Sequence, residues 1–249
     1  MSHTNLTEIE LINGILSICF ASISIFVGAK IVSKYFEYRK KTFLYVGLTW
    51  IGLVSMWYAS SISVIMILST GNGISDELYM FIGNGLLSIT AFIWMIPFTE
   101  LVFKKRQKVI LILSGIYFGL FELYFIYYLF TNPSVLGEVI GPVDAFYSPL
   151  VTVFHISMII LILVSGTMIG RISLRSTNPE IRLKGKFLII AAYSFAIGAA
   201  FEVISHLSLM ILIIGRLILI SSAISFYGGW FLPNWMKKPF LKKNRMSER

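Results

Sequence analysis

The chain of 249 residues is 57% hydrophobic and only 13% charged, and its mean hydropathy is +0.82. Soluble domains carry about 25% charged residues, so this composition excludes a water-soluble fold and indicates a membrane protein. The formal net charge of +9 does not indicate nucleic-acid binding, because the basic residues lie in short runs between apolar stretches.

Seven apolar stretches are long enough to cross the hydrocarbon core, which takes about 20 helical residues. In chain order they cover residues 9–32, 42–69, 78–103, 109–130, 148–170, 187–205 and 208–232. The last two almost touch, so a tight turn is expected within 204–210. The sequence therefore predicts an all-α, seven-transmembrane-helix bundle over residues 1–236 and a basic tail over residues 237–249.

The distribution of charge predicts the orientation of the bundle. All but one of the 21 Lys and Arg residues lie in the first, third and fifth connections or in the tail. The second and fourth connections hold only acidic residues. The positive-inside rule then places the N-terminus outside and the tail in the cytoplasm, as in a multi-pass protein of the cell membrane. The tail is expected to contact anionic lipid headgroups there.

Ionisable residues inside apolar stretches are costly and are candidates for function. Four occur at a similar depth in the outer half of the predicted bundle, with a histidine and an asparagine at nearby levels. The predicted ligand-binding residues are Glu122, His155, Glu202, His206, Arg216 and Asn84. One interpretation is a polar pocket open to the outside. The other is structural, with Glu202 and Arg216 paired to fix the register of two helices and His155 as a neutral core residue.

Several chemistries lack the residues that they need. A retinal protein requires a lysine in its last helix, but the only basic residue there is Arg216, which cannot form the Schiff base. A zinc hydrolase needs about three protein ligands, and no His-x-x-x-His spacing occurs. No catalytic motif, metal site or cofactor is predicted, and the absence of these motifs disfavours an enzyme without excluding one.

Smaller motifs predict local contacts. Gly115 and Gly119, four residues apart, predict close packing of the fourth helix within the bundle. Glu100 is expected to pair at the surface with Lys104 or Lys105. Asn5 begins an Asn-Leu-Thr glycosylation sequon on the predicted outer side.

Some short motifs carry a family resemblance over residues 78–190. They are Tyr79 to Gly83, the helix end Pro97-Phe98-Thr99-Glu100 with the basic turn after it, and Phe130-Thr131-Asn132-Pro133. In these the chain resembles the seven-helix sensor region at the N-terminus of some prokaryotic histidine kinases. It departs from that family at Ser134 to Leu136, where a histidine is common, and no kinase follows the seventh stretch. The resemblance implies a sensor that signals through a separate protein.

Three functions remain open. The first is a receptor-like sensor that binds a small molecule among the six predicted residues and signals to a cytoplasmic partner. The second is a small-solute or proton-coupled transporter with Glu122, Glu202 and His155 as proton sites. The third is a membrane-embedded enzyme that modifies lipids. Broken helices and inverted repeats would favour the transporter.

Overall fold

The computed structural model describes residues 6–203 and 208–241. Ten α-helices occur there: α1 (Glu8–Tyr38), α2 (Lys41–Leu53), α3 (Ser55–Thr70), α4 (Asp76–Asn84), α5 (Leu87–Val102), α6 (Gln107–Thr131), α7 (Pro149–Leu174), α8 (Pro179–Val203), α9 (Leu209–Trp230) and α10 (Asn234–Leu241). Two strands, β1 (Gly137–Ile140) and β2 (Asp144–Tyr147), connect α6 to α7. The described part of the chain is therefore mostly helical, as predicted, although the sequence did not predict the two strands.

The long helices can cross a membrane. With α4 and α5 taken together, six helices of the described residues are long and apolar enough to do so, and the bent pair α2–α3 would make a seventh. Each long helix is apolar on nearly all sides, so its outer face is compatible with lipid and its inner face with a packed bundle.

The second apolar stretch, predicted as one helix, is two helices that meet at an angle of 51°. Gly52 and Ser55 flank the break, and such small residues allow a sharp bend. A break frees backbone carbonyls that need new donors in a membrane. Here the Tyr58 hydroxyl donates to the Ile51 carbonyl oxygen at 2.7 Å.

The third apolar stretch is also interrupted, between α4 and α5. Asn84 ends α4 and Leu87 begins α5. The hydroxyl of Ser55, just after the first break, donates to the carbonyl oxygen of Gly83, just before the second, at 2.9 Å. The two interruptions are therefore joined side by side in the bundle.

The remaining helices are continuous and cross at glycines. A Cβ atom at Gly185 in α8 would lie 2.7 Å from the carbonyl oxygen of Gly170 in α7. A Cβ atom at Gly198 would lie 2.7 Å from the Leu219 side chain across the α8–α9 contact. Helices α8 and α9 pack antiparallel, so two helices rather than one long helix are confirmed. Their connection, residues 204–207, lies outside the described residues.

The strands form an antiparallel hairpin over one end of the bundle, with Gly137 opposite Tyr147 and Ile140 opposite Asp144. We call this the hairpin end, and the end with α10 and the Lys104–Arg106 turn the basic end. Leu136, just before β1, and Val143, in the turn between the strands, are both buried. The turn approaches α1, since a Cβ atom at Gly141 would lie 2.5 Å from a Glu10 carboxylate oxygen. The hairpin therefore covers the bundle on the side where α1 begins.

One local prediction is wrong, and others concern residues near or beyond the ends of the described chain. A Cβ atom at Gly119 would have no neighbouring atom within 4 Å, so the predicted packing inside the bundle is wrong there. The predicted boundary between residues 236 and 237 falls within α10, where the Lys237 side chain pairs with Glu180 of α8. Asn5 and tail residues 242–249 lie outside the described residues.

Candidate functional site

A charged group lies between α1, α8 and α9 near the hairpin end. The guanidinium of Arg216 is 2% exposed, and its Nη2 atom lies 3.2 Å from a carboxylate oxygen of Glu202. The same Nη2 atom donates to the side-chain oxygen of Asn13. The ring of Trp57 lies 5.8 Å from the guanidinium carbon, in the geometry of a cation–π contact. The predicted pairing of Glu202 with Arg216 is confirmed.

The guanidinium of Arg216 is nevertheless incompletely bonded. Its Nε and Nη1 atoms are buried and have no hydrogen-bond partner among the described residues. An arginine side chain has five N–H donors, and an unpaired buried donor carries the cost of lost hydration. Arg216 can therefore donate further hydrogen bonds to an acceptor that enters beside it.

A neutral polar group lies between α4, α7 and the hairpin. His155 Nε2 lies 2.7 Å from the side-chain oxygen of Asn84, and the Asn84 amide donates to the Tyr147 hydroxyl at 3.3 Å. The rings of Tyr147 and His155 meet edge to face at 4.8 Å. Because the Asn84 oxygen accepts, His155 is expected to carry its proton on Nε2. Burial raises the pKa of Tyr147 to about 12, so its hydroxyl keeps its proton at neutral pH.

Tyr79 connects the two groups. Its side chain is 4% exposed, and its hydroxyl lies 2.9 Å from the hydroxyl of Ser60. Ser60 in turn donates to the carbonyl oxygen of Val143 in the hairpin turn, at 2.8 Å. Ser60 lies one turn after Trp57 on α3, and Tyr79 lies on α4, the helix that ends at Asn84. The two groups therefore form one polar region, closed on one side by the hairpin.

Glu122 lies apart from this region. Its carboxyl group lies near the hydroxyl group of Ser88 in α5. Ser88 follows Asn84 by four residues in the sequence. The Ser88 hydroxyl and the Oε2 atom of Glu122 are both buried without a hydrogen-bond partner among the described residues. The structure thus joins four of the six predicted residues, Asn84, His155, Glu202 and Arg216. It places Glu122 beside Ser88, and His206 lies outside the described residues.

Aromatic rings extend from the charged group toward the basic end. Trp57 contacts Phe195, whose ring lies 6.0 Å from that of Trp50. Trp50 stacks on Phe226 at 4.1 Å. A cavity of about 20 Å³ adjoins the last two rings, and Thr49 Oγ1 and Trp50 Nε1 beside it are buried without partners in the described chain. A cavity of this size holds about one water molecule.

Asn13 and Tyr147 were not predicted as site residues. Asn13 was detectable, since an amide in the first apolar stretch needs a hydrogen-bond partner as much as Asn84 does. Tyr147 resembled an ordinary interfacial tyrosine, because nothing local to it indicates the hairpin. Within residues 6–203 and 208–241, no group of three or more His, Cys, Asp or Glu side chains is arranged to hold a metal ion.

No protein-family model matches the sequence, and no curated protein matches it. The likeness to histidine-kinase sensor regions therefore stays a prediction from short motifs.

Proposed function

We propose that the chain is a seven-span receptor-like sensor of the cell membrane, with its N-terminus outside and its tail in the cytoplasm. The bent pair α2–α3 would be the second span. A small ligand with a carboxylate, or another compact anionic acceptor, would bind beside Arg216 under the hairpin. The supporting observation is that Arg216, although almost fully buried, has two nitrogen atoms without partners in the described chain.

The neighbouring groups suit such a ligand. A carboxylate can accept two parallel hydrogen bonds from one guanidinium, so it would compete with Glu202 for Arg216. Asn84, His155 and Tyr147 of the neutral group would bind a polar or aromatic remainder of the ligand. Most of these partners are neutral, and they could orient a ligand without adding charge.

Helix α8 supports a route for the signal. It has 25 residues, a length of about 37 Å, with Glu202 near one end and Glu180 near the other. Glu180 pairs with Lys237 of α10, so α8 connects the polar region to the tail helix. Displacing Glu202 would shift α8, and a cytoplasmic partner would detect the shift at the 171–186 loop and α10.

Ligand-dependent stabilisation of the purified chain tests the proposal. A panel of small carboxylates and amines would be added in detergent, and the melting temperature measured. A ligand at 100 times its Kd stabilises a fold by about 2.7 kcal/mol. We expect a carboxylate to raise the melting temperature of the wild type and to bind more tightly to Glu202→Gln, which removes its competitor.

Two variants decide the outcome. Arg216→Gln should lose the response, whereas Arg171→Gln, an exposed arginine at the basic end, should keep it. The site would be refuted if no carboxylate stabilised the wild type, or if Glu202→Gln bound the stabilising carboxylate more weakly than the wild type did. The comparison of Glu202→Gln with the wild type still tests the site even if Arg216→Gln fails to fold.

A transporter is the second candidate, and the two interrupted helices favour it. Carriers commonly bind solutes where membrane helices are broken near mid-membrane, and here Asn84 lies beside such a break. Flux of the stabilising carboxylate into proteoliposomes would distinguish the two, because a sensor transports nothing. The lipid-modifying enzyme receives no support from the described residues.

A further inference from the structure

A groove runs along the surface between α5 and α6 at the basic end. It is open, with a volume of about 630 Å³. Gln107 and Lys108 line it at the start of α6, and the rest of its wall is apolar: Phe92, Leu111, Ile112, Gly115 and Ile116. From Lys108 to Ile116 the groove follows α6 for about 12 Å, as given by the rise of a helix. It therefore extends from the end of the bundle toward its middle.

Gly115 keeps this groove open. A Cβ atom at Gly115 would lie 3.3 Å from the Phe92 ring, so a larger side chain would fill the space between the two helices. One turn further along, a Cβ atom at Gly119 would have no neighbour within 4 Å and would border open surroundings. The two glycines are therefore alike in sequence but differ in whether a side chain there would block the groove.

Four basic residues lie at or next to the mouth of the groove: Lys108 lines it, and Lys104, Lys105 and Arg106 form the turn just before α6. All four are exposed, and none forms an ion pair within the described part of the chain. The predicted surface pair of Glu100 with Lys104 or Lys105 is wrong, and Glu100 is the acidic residue closest in sequence to the cluster. The mouth therefore carries a net positive charge that the described chain does not neutralise.

We propose that this groove is a binding site for an anionic phospholipid. One acyl chain would lie in the groove against Phe92 and Gly115, and the phosphate would contact Lys108 and the preceding turn. Charge complementarity selects this occupant, because clustered Lys and Arg at the end of a membrane helix attract anionic headgroups. The site lies outside the polar region around Arg216 and does not depend on the function proposed there.

Native mass spectrometry of the full chain in detergent tests the proposal, with phosphatidylglycerol and phosphatidylcholine as the added lipids. The wild type should bind one phosphatidylglycerol with about tenfold preference over phosphatidylcholine, because only phosphatidylglycerol has a net negative headgroup for the basic residues to attract. Gly115→Leu should lose this adduct, and the matched control Gly119→Leu should keep it.

The charge variant is an independent check, because Lys108 is exposed and its replacement should not affect folding. Lys108→Gln should reduce the preference for phosphatidylglycerol severalfold. Equal adducts of the two lipids on the wild type, or an unchanged preference in Lys108→Gln, would overturn the proposal. A dimer that excludes lipid and is lost in Gly115→Leu would assign the groove to a second copy of the chain instead.

Discussion

The two sides of the bundle accommodate buried polar groups in different ways. Helices α1, α8 and α9 are continuous and hold the charged group, whereas α2–α3 and α4–α5 are interrupted and lie beside the neutral group. On the continuous side, a carboxylate and an amide neutralise and bond the arginine. On the interrupted side, hydroxyl groups replace the hydrogen bonds that the backbone has lost. The paired charges of Glu202 and Arg216 therefore lie on continuous helices, whereas the neutral group includes Asn84 at the end of interrupted α4.

Removing the charge on the continuous side should have the largest effect. Arg216→Gln leaves the partly buried Glu202 without its cation and should lower the free energy of unfolding by about 3–5 kcal/mol. The double variant Glu202→Gln/Arg216→Gln should recover more than half of that loss. Unfolding in mixed micelles would measure both, with Arg171→Gln as the control. If Arg216→Gln were as stable as the wild type, the Glu202–Arg216 pair would contribute little to stability, and the two sides of the bundle would not differ in this respect.

A larger residue at a glycine crossing on the continuous side should reduce stability somewhat less than Arg216→Gln does. In Gly185→Ala the new methyl group meets the backbone oxygen of Gly170, which cannot move alone, and we expect a loss of about 1–3 kcal/mol. Gly119→Ala, in open surroundings, should be neutral or stabilising by up to about 1 kcal/mol, since alanine favours helices. Equal melting temperatures for the two variants would contradict the tight α7–α8 crossing.

The neutral group should contribute less than the charged one. Hydrogen bonds between membrane helices contribute about 0.6 kcal/mol on average and up to about 1.7 kcal/mol. In a double-mutant cycle, Asn84→Ala and His155→Leu should couple within that range. The control cycle pairs His155→Leu with Asn72→Ala, which lies in an exposed loop, and should show no coupling. A coupling as large as the effect of Arg216→Gln would remove the distinction between the two sides.

The bond between the two interruptions should have the smallest effect. Ser55→Ala removes the hydrogen bond to the Gly83 carbonyl and should lower the free energy of unfolding by about 0.6 kcal/mol. The matched control is Ser69→Ala, an exposed serine that bonds only within its own helix. If both serine variants behaved alike, the joined interruptions would not add to stability.

The features that the sequence predicted correctly are local ones. A run of apolar residues specifies a membrane helix by itself, and Glu202 and Arg216 are close in sequence across one short connection. Their pairing could therefore be inferred from the cost of leaving either charge alone. The bond between Asn84 and His155 joins residues far apart in the chain, and the sequence indicated only that both lie at a similar level.

The interruptions and the hairpin could not be predicted with the same methods. Residues on both sides of Val54 are equally apolar, so hydropathy does not distinguish one straight helix from two bent ones. The Val143 carbonyl oxygen and the Tyr147 hydroxyl accept hydrogen bonds from side chains of α3 and α4. These bonds hold the hairpin and form only in the folded bundle. Asn13 needs a hydrogen-bond partner as Asn84 does, but nothing near it in the sequence indicates that the partner is Arg216, 203 residues away.

The lengths of the interrupted helices have a consequence for biosynthesis. Helix α2 has 13 residues and α4 has 9, which correspond to about 20 Å and about 14 Å, while the hydrocarbon core is about 30 Å thick. Neither can enter a bilayer as a separate span. As part of a membrane span, each would enter the bilayer together with the helix that follows it, and the Tyr58 and Ser55 hydroxyls would then bond the carbonyl oxygens freed at the breaks. These two segments are therefore the part of the chain for which the order of assembly during synthesis matters most.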